Sequence, residues 1–316
     1  LRQRLVIEEL LAHQVCLAAV KEQQKKHLAT ALPVASNIKS TFLQTLPYAL
    51  TRAQQKVIAE IDNDLAQTYP MMRLVQGDVG SGKTVVAAMA MLSALVQGKQ
   101  VALMAPTELL AQQHITTFTE WLSPLGFTVG GLLGSQTAAT QRKQKKLLAS
   151  GDINCVIGTH ALFQDDVVFH DCALVIIDEQ HRFGVRQRLR LSMKGNAGEQ
   201  WPHQLIMSAT PIPRTLAMVA YADLNVSVID ELPPGRTPIK TVMLPHEKRA
   251  ALLQRLHKVC AQDKRQVYWV CPLIDESDML DAQAAESVYK ELQAQLPDVS
   301  IALVHGRMKA KEKDTI

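Results

Sequence analysis

The chain has 316 residues, of which 47% are hydrophobic and 20% are charged, and its formal net charge is +4. That length exceeds what one hydrophobic core usually serves, so two domains are expected, and the composition excludes a disordered or low-complexity chain. The small positive charge permits an anionic partner without requiring one. The longest apolar run, residues 85–96, is too short to span a bilayer, so we expect no membrane segment.

Five cysteines are spread along the chain without C-x-x-C spacing or neighbouring histidine clusters. They predict neither a disulfide framework nor a zinc site, and they favour a reducing, cytoplasmic compartment. The sequence begins at Leu1 rather than methionine and has no signal-peptide pattern, so we expect a piece of a longer protein.

The first 46 residues are predicted to form a helix and a connector. Apolar residues recur near helical spacing over residues 1–28, and that stretch ends in Lys25 and Lys26. Basic residues in a last helical turn favour the helix dipole, which is a simpler explanation of these lysines than a DNA contact. A further helix is predicted to begin after Thr51 as its N-cap. Gln54 in that helix is open to two interpretations, a surface side chain or an amide that recognises adenine.

Residues 77–84 match the phosphate-loop pattern G-x-x-x-x-G-K-[ST] at every position. An apolar strand precedes the loop and an apolar helix over residues 85–96 follows it, which is the context that the motif requires. Glycines let backbone amides approach a phosphate chain at the start of a helix. Lys83 is expected to reach the β- and γ-phosphates, and the Thr84 hydroxyl to bind Mg²⁺. The predicted nucleotide-binding residues of the loop are Gly77, Asp78, Val79, Gly80, Ser81, Gly82, Lys83 and Thr84.

Strand and helix patterns then alternate along the chain. Strands are predicted at residues 100–105, 127–133, 153–157, 173–177 and 204–207. Helices are predicted to begin with Thr107 as an N-cap and to cover residues 141–150. This alternation predicts an α/β fold with a parallel sheet covered on both faces. Polar or glycine-containing segments follow each strand, at the edge where ligands bind in open α/β folds.

The apolar segment Leu174–Ile177 ends in two acidic residues, Asp178 and Glu179. A carboxylate delivered by a buried strand beside a phosphate loop gives the nucleotide's Mg²⁺ a second protein ligand. Asp178 is therefore expected to hold the metal ion through water, and Glu179 to act as the general base for the attacking water. The alternative is that Asp178 only caps a following helix.

Three segments of the chain resemble motifs I, II and III of the superfamily 2 helicases: residues 77–84, residues 178–185 (Asp-Glu-Gln-His-Arg-Phe-Gly-Val) and residues 208–216 (Ser-Ala-Thr-Pro-Ile-Pro-Arg-Thr-Leu). The sequences of these segments, together with residues 228–236 and 268–274, resemble those of the RecG family. That family consists of bacterial ATP-dependent DNA helicases, which remodel branched DNA. The transcription-repair coupling translocases share parts of motifs II and III, but the Asp-Glu-Leu-Pro-Pro-Gly-Arg segment at 230–236 favours the RecG family. A nucleotide-binding ATPase without a nucleic-acid partner is the alternative of a different class, and the order of the motifs argues against it.

The resemblance implies roles for individual residues. It assigns adenine recognition to Gln54, and it implies that hydrolysis is coupled to domain movement by Gln180, His181, Ser208, Ala209 and Thr210. It implies DNA contacts by Pro106, Thr107, Thr159, His160, His305 and Arg307. Gly134, which follows a predicted strand, and Arg188, in the basic run after the acidic motif, are further candidates for DNA contacts. Ordinary capped turns, or a solvated basic surface for the arginines at 182–190, remain the alternatives to DNA contacts.

The resemblance also implies tandem RecA-like domains of the P-loop NTPase class. We expect a first domain over residues 47–229, a linker over 230–238 and an incomplete second domain over 239–316. Strands of the second domain are predicted at 240–244, 266–270 and 300–304, and helices at 247–261 and 281–295. The family's wedge domain and its motifs V and VI are not in this sequence. Motif VI supplies arginine fingers, so weak or absent ATPase activity is expected of the 316-residue chain.

The cofactors implied are ATP and Mg²⁺. The implied partner is DNA with branched, duplex and single-stranded arms, and single-strand-binding protein is a candidate partner of the longer protein. A monomer in the bacterial cytoplasm, associated with the nucleoid, is expected.

Overall fold

The computed structural model describes residues 8, 11, 12, 15, 19, 22, 26–34, 36–179, 200–210, 224–233, 239–271, 278–305, 308, 312, 315 and 316. The chain divides into two compact units, Leu1–Arg236 and Thr237–Ile316. Among the helices of these described residues, none is long and apolar enough to cross a membrane.

A seven-stranded parallel sheet forms the centre of the first unit. Its strands are β1 (Met72–Gly77), β2 (Gln100–Met104), β3 (Val129–Leu132), β4 (Cys155–Gly158), β5 (Cys172–Asp178), β6 (His203–Ser208) and β7 (Asn225–Ile229). Their spatial order is β3-β4-β2-β5-β6-β1-β7, and every neighbouring pair is parallel. The predicted α/β fold with a parallel sheet is confirmed. The edge strand β7 was not predicted, because only alternate residues of it are buried and it has no continuous apolar run.

Helices cover both faces of this sheet. The helices of the first unit are α1 (Ser36–Thr45), α2 (Arg52–Leu65), α3 (Lys83–Leu95), α4 (Glu108–Leu122) and α5 (Ala138–Ser150). Helices α1 to α4 contribute to the core on one face, whereas α5 and the 3₁₀ turn His160–Phe163 contribute to the core on the other. In β2, Val101 and Leu103 enter the first core and Ala102 and Met104 enter the second. Successive side chains of a strand point to opposite faces, which explains why these strands are apolar throughout.

Threonine caps fix the start of three helices. Thr51 Oγ1 accepts a hydrogen bond from Gln54 N (3.2 Å), and Gln54 Oε1 accepts one from Thr51 N (2.9 Å), which forms a capping box at α2. Thr107 caps α4 by accepting from Leu110 N at 3.3 Å. Thr137 caps α5 in the same way, so that helix begins three residues before its predicted start.

The connector before α2 is attached to the sheet by buried polar contacts. His203 lies fully buried in β6, where its Nδ1 accepts from Met71 N (3.0 Å) and its Nε2 donates to Thr30 O (2.9 Å). Lys39 of α1 forms a buried ion pair with Asp62 of α2. Most of the helix predicted over residues 1–28 lies outside the described residues.

Arg73 of β1, the strand next to the edge strand β7, joins three elements of the first unit. Its guanidinium donates to Asp64 Oδ2 (2.8 Å), Glu60 Oε2 (3.0 Å) and Ser227 Oγ (2.6 Å). Strand β1 is thereby linked to helix α2 and to the edge strand β7. The arginine is buried, and its two carboxylate partners are partly exposed.

The second unit contains helices α6 (Arg249–Ala261) and α7 (Asp278–Gln295), both near their predicted positions. A small core gathers Leu253, Leu292 and Leu296. The three strands predicted in this unit are wrong: residues 240–244, 266–270 and 300–304 have no strand assignment. A strand requires a hydrogen-bonded neighbour. These segments have none in the described part of this unit, and Met243 and Tyr268 are 96% and 90% exposed.

Candidate functional site

The phosphate loop connects β1 to α3 through a backbone that two glycines make possible. Gly80 and Gly82 have φ values of 78° and 87°, in the left-handed region that glycine adopts without a steric penalty. A Cβ atom at Gly82 would lie 2.2 Å from Gln54 Nε2. A larger residue at Gly82 would therefore displace either the loop or helix α2.

Gln54 supports this loop from the neighbouring helix. Its side chain is buried, and Nε2 donates to Ser81 O at 2.7 Å while Oε1 accepts from Thr51 N. The interpretation of Gln54 as a surface residue is wrong, because the capping box turns the amide inward onto the loop. Each of the two contacts uses one hydrogen or one lone pair of the amide, which has capacity for further bonds. Its role in adenine recognition stays a prediction.

Lys83 folds back onto the carbonyl groups of its own loop. Its Nζ donates to Gly77 O (2.7 Å) and Asp78 O (3.1 Å). Burial lowers the pKa of Lys83, and the charges of Glu179, Asp178 and Asp78 partly offset that shift. The lysine head group is thus close to both predicted acidic residues at the end of β5.

Asp178 is the last residue of β5 and Glu179 follows it; the single strand β6 separates β5 from β1. Asp178 Oδ2 lies 2.8 Å from His114 Nε2 of α4. Glu179 has a φ of 50°, which is rare for a residue with a side chain, and its Oε1 accepts from Ala209 N at 3.2 Å. Backbone strain of this kind often marks functional sites. The strand order brings both acids to the same sheet edge as the phosphate loop.

The residues at this edge suit a nucleotide with Mg²⁺. Mg²⁺ usually takes one or two carboxylates, with phosphate and water oxygens completing its octahedron. Asp178 offers a carboxylate oxygen and Thr84 offers a hydroxyl oxygen, and both are oxygen donors that could bind Mg²⁺. Among the described residues, no three His, Cys, Asp or Glu side chains lie close enough together to hold a metal ion by themselves. Ser81 Oγ is buried and has no hydrogen-bond partner within the described part of the chain, so it is a donor for a phosphate oxygen.

The predicted coupling segment lies directly beside Glu179. Ser208 ends β6, and its Oγ is 2.9 Å from Thr210 Oγ1. Ala209 N, between them, donates to the Glu179 carboxylate. A shift of this segment would therefore move the predicted base. Gln180 and His181 lie outside the described residues.

The candidate DNA-contacting residues of the first unit follow three neighbouring strands. Pro106 and Thr107 come after β2, Gly134 after β3, and Thr159 and His160 after β4. The order β3-β4-β2 places all of them on one half of the sheet edge, and the phosphate loop follows β1 on the other half. Thr159 is buried and His160 is exposed. His305 belongs to the second unit, and Arg188 and Arg307 lie outside the described residues.

Sequence reasoning missed the contacts that three residues make at this edge. His114 contacts Asp178, and Glu108 Oε1 accepts from Ser135 N at 3.0 Å in the loop after β3. Glu231 Oε2 accepts from Ala53 N (3.0 Å) at the start of α2, and this backbone hydrogen bond lowers the pKa of Glu231. The only local signal for His114 was its spacing of seven residues from Thr107, which puts both on one side of a helix.

Comparisons with known proteins agree with this arrangement. The family model for the DEAD/DEAH box helicase matches residues 51–219. Proteins named ATP-dependent DNA helicase RecG from Haemophilus influenzae and Escherichia coli are each 54% identical over 315 residues, which is 100% of this chain and 46% of either relative. The chain thus spans about half the length of the curated relatives it matches. The resemblance expected from the motifs is confirmed.

A solved structure is also similar to this chain over nearly its whole length. The structure described as RecG bound to a three-way DNA junction matches 99% of this chain and 40% of its own chain, at 37% identity and a TM-score of 0.79. The similarity therefore extends over both units of the chain in sequence and fold.

Proposed function

Because this chain belongs to the DEAD/DEAH box helicase family, we propose that it is the motor portion of an ATP-dependent DNA helicase that remodels branched DNA. Stalled forks and Holliday junctions are the proposed substrates, in recombination and repair. The observation that carries this proposal is the placement of the phosphate loop, the Asp178–Glu179 pair and the Ser208–Thr210 segment at the ends of β1, β5 and β6, which are neighbours in the sheet.

The nucleotide site acts through groups that the chain holds in place. Loop amides and the Lys83 ammonium bind the phosphates and stabilise negative charge. Thr84 and Asp178 would hold Mg²⁺, which would neutralise charge on the phosphate oxygens. The Glu179 carboxylate accepts the proton of the attacking water. Its bond from Ala209 N gives motif III a direct effect on that carboxylate.

The half of the edge after β3, β4 and β2 is proposed to contact the DNA backbone. The N-terminus of α4 offers amides and the Thr107 hydroxyl, and such groups bind phosphates without reading sequence. Branched DNA is supported by the similar protein whose structure contains a three-way DNA junction. The names of the matched relatives do not favour a transcription-repair coupling translocase, which would have to displace RNA polymerase.

We propose a first domain at residues 47–229, a linker at 230–238 and the start of a second domain at 239–316. The division of the chain after Arg236 falls inside this linker and supports it. A monomer in the bacterial cytoplasm, at the nucleoid, and an interaction with single-strand-binding protein are proposed from the family resemblance.

The test is ATP hydrolysis by the full-length protein, with and without junction DNA. Strong stimulation by junction DNA is expected, and Lys83→Ala should lower the stimulated rate by at least about 100-fold, because it removes a cation from the phosphate site. Lys56→Ala, an exposed residue of α2, is the matched control. Hydrolysis that is indifferent to DNA would contradict the proposed partner and leave only the nucleotide site.

A further inference from the structure

The imidazole of His114 lies against the carboxylate that is proposed to bind the metal ion. Its Nε2 is 2.8 Å from Asp178 Oδ2, and the two side chains are 12% and 13% exposed. An ionised carboxylate only accepts hydrogen bonds, so Nε2 carries the hydrogen in this contact. This hydrogen bond to Oδ2 restricts the rotation of the Asp178 carboxylate about its Cβ–Cγ bond.

Packing holds the His114 ring in this position. The ring centroid is 5.9 Å from that of Phe118, one turn further along α4. Phe118 is fully buried and meets Trp121 edge-on at 5.8 Å. The position of the imidazole is therefore set by its packing against the buried side chains of α4.

The same helix reaches the half of the edge proposed for DNA. Thr107 caps its first turn, and Glu108 is bonded to Ser135 N in the loop after β3. His114 follows Thr107 by seven residues, which is two helical turns. One rigid element thus contacts both halves of the sheet edge.

We propose that His114 is a positioning residue that orients Asp178 toward the metal ion and links this orientation to the DNA-facing end of α4. The proposal rests on the proposed function. A movement of α4 when its N-terminus engages a DNA phosphate moves His114, and with it the carboxylate. Groups that hydrogen-bond a metal ligand typically change metal affinity by about 10- to 100-fold.

The experiment compares His114→Ala, His114→Gln and Gln113→Ala with the wild-type full-length protein. Gln113 is exposed on the same helix and is the matched control. Binding of a fluorescent ATP analogue is titrated over a range of Mg²⁺ concentrations and also in EDTA. Stimulation of ATP hydrolysis by junction DNA is measured at saturating Mg²⁺. Thermal unfolding without nucleotide shows whether each variant is folded.

His114→Ala should raise the Mg²⁺ concentration for half-maximal binding by about 10-fold and leave the affinity in EDTA unchanged. It should also lower the DNA stimulation factor. His114→Gln keeps an N–H donor and should recover most of both losses, and Gln113→Ala should match the wild type. If His114→Ala does not fold, His114→Asn, whose amide is too short to reach, takes its place beside His114→Gln.

An unchanged Mg²⁺ dependence in the variant without a donor would overturn the proposal, because a contact that only stabilises the fold affects unfolding alone. Equal losses in the glutamine and alanine variants would overturn it too. A wild-type protein indifferent to DNA would defeat the proposed helicase function and the link to DNA. The Mg²⁺ titration would still decide whether His114 positions Asp178.

Discussion

At the scale of single residues, Gln54 connects the start of one helix with the loop before another. Its amide oxygen completes the capping box of α2, and its amide nitrogen holds Ser81 O in the phosphate loop. The same side chain therefore contributes to the stability of α2 and to the shape of the nucleotide site.

We expect Gln54→Ala to lower the free energy of unfolding by about 1–2 kcal/mol, because a cap and a buried hydrogen bond are both lost. Nucleotide affinity should fall as well, since Ser81 loses its anchor. Denaturant unfolding and titration with a fluorescent ATP analogue measure the two effects. Gln55→Ala, which alters the exposed neighbour, is the control. An affinity loss without a stability loss would argue for direct base recognition over loop support.

His203 makes the stability of the first unit sensitive to pH. Burial lowers the pKa of His203, although hydrogen bonding to Thr30 and the charge of Asp64 oppose the shift. Below the unfolded-state pKa of about 6.5 the unfolded chain binds a proton that the folded chain binds less readily. Protonation of Nδ1 would also break its bond from Met71 N. We therefore expect the stabilising contribution of neutral His203 to be fully present above about pH 6.5 and to decline as the pH falls below it.

The free energy of unfolding, measured between pH 8 and pH 5.5, should decline less in His203→Gln than in the wild type. His170→Gln, at an exposed histidine, should keep the wild-type pH dependence. If His203→Gln and the wild type lose stability in parallel as the pH falls, other groups are responsible.

At the scale of secondary-structure elements, the Arg73 network joins β1, α2 and β7. We expect Arg73→Met to lower the free energy of unfolding by about 2–3 kcal/mol, because Glu60 and Asp64 lose their buried cation. The value is below that for a fully buried pair, since both carboxylates keep some contact with water. Denaturant unfolding followed by circular dichroism tests this.

Arg142→Ala, at an exposed arginine of α5, should change the stability by less than about 0.5 kcal/mol. A similarly small effect of Arg73→Met would mean that the network is not needed to hold the edge strand.

Elements of the first unit were predictable because their signals are local. Apolar runs marked β1, β2, β5 and β6, and threonine caps marked the starts of α2 and α4. The second unit contradicts its three predicted strands, because an apolar run does not by itself supply a strand partner. The contacts of His114 and Glu231 were missed for another reason: their partners are 64 and 178 residues away in sequence. Only the fold brings such pairs together.

At the scale of the whole molecule, the described residues of the nucleotide site lie between Gln54 and Thr210, inside the first unit. We therefore expect a chain ending at Arg236 to bind a fluorescent ATP analogue within about threefold of the affinity of the 316-residue chain, a difference of about 0.7 kcal/mol. Lys83→Ala should weaken binding equally in both chains. A much weaker affinity of the shorter chain would show that the second unit contributes to the site.

The strand order has a consequence for how the proposed helicase could be adapted to new tasks. Loops after β3 and β4 and the loop after β1 belong to separate halves of one edge. Libraries randomised only at residues 133–137 and 159–160, on the half of the edge proposed to contact DNA, could therefore be selected for new DNA preferences while the phosphate loop keeps its sequence. Helix α4 is the exception, because it contacts both halves. Changes in α4 are expected to alter the proposed DNA preference and the proposed use of ATP together. Adaptation of only one of these two properties should therefore leave this helix unchanged.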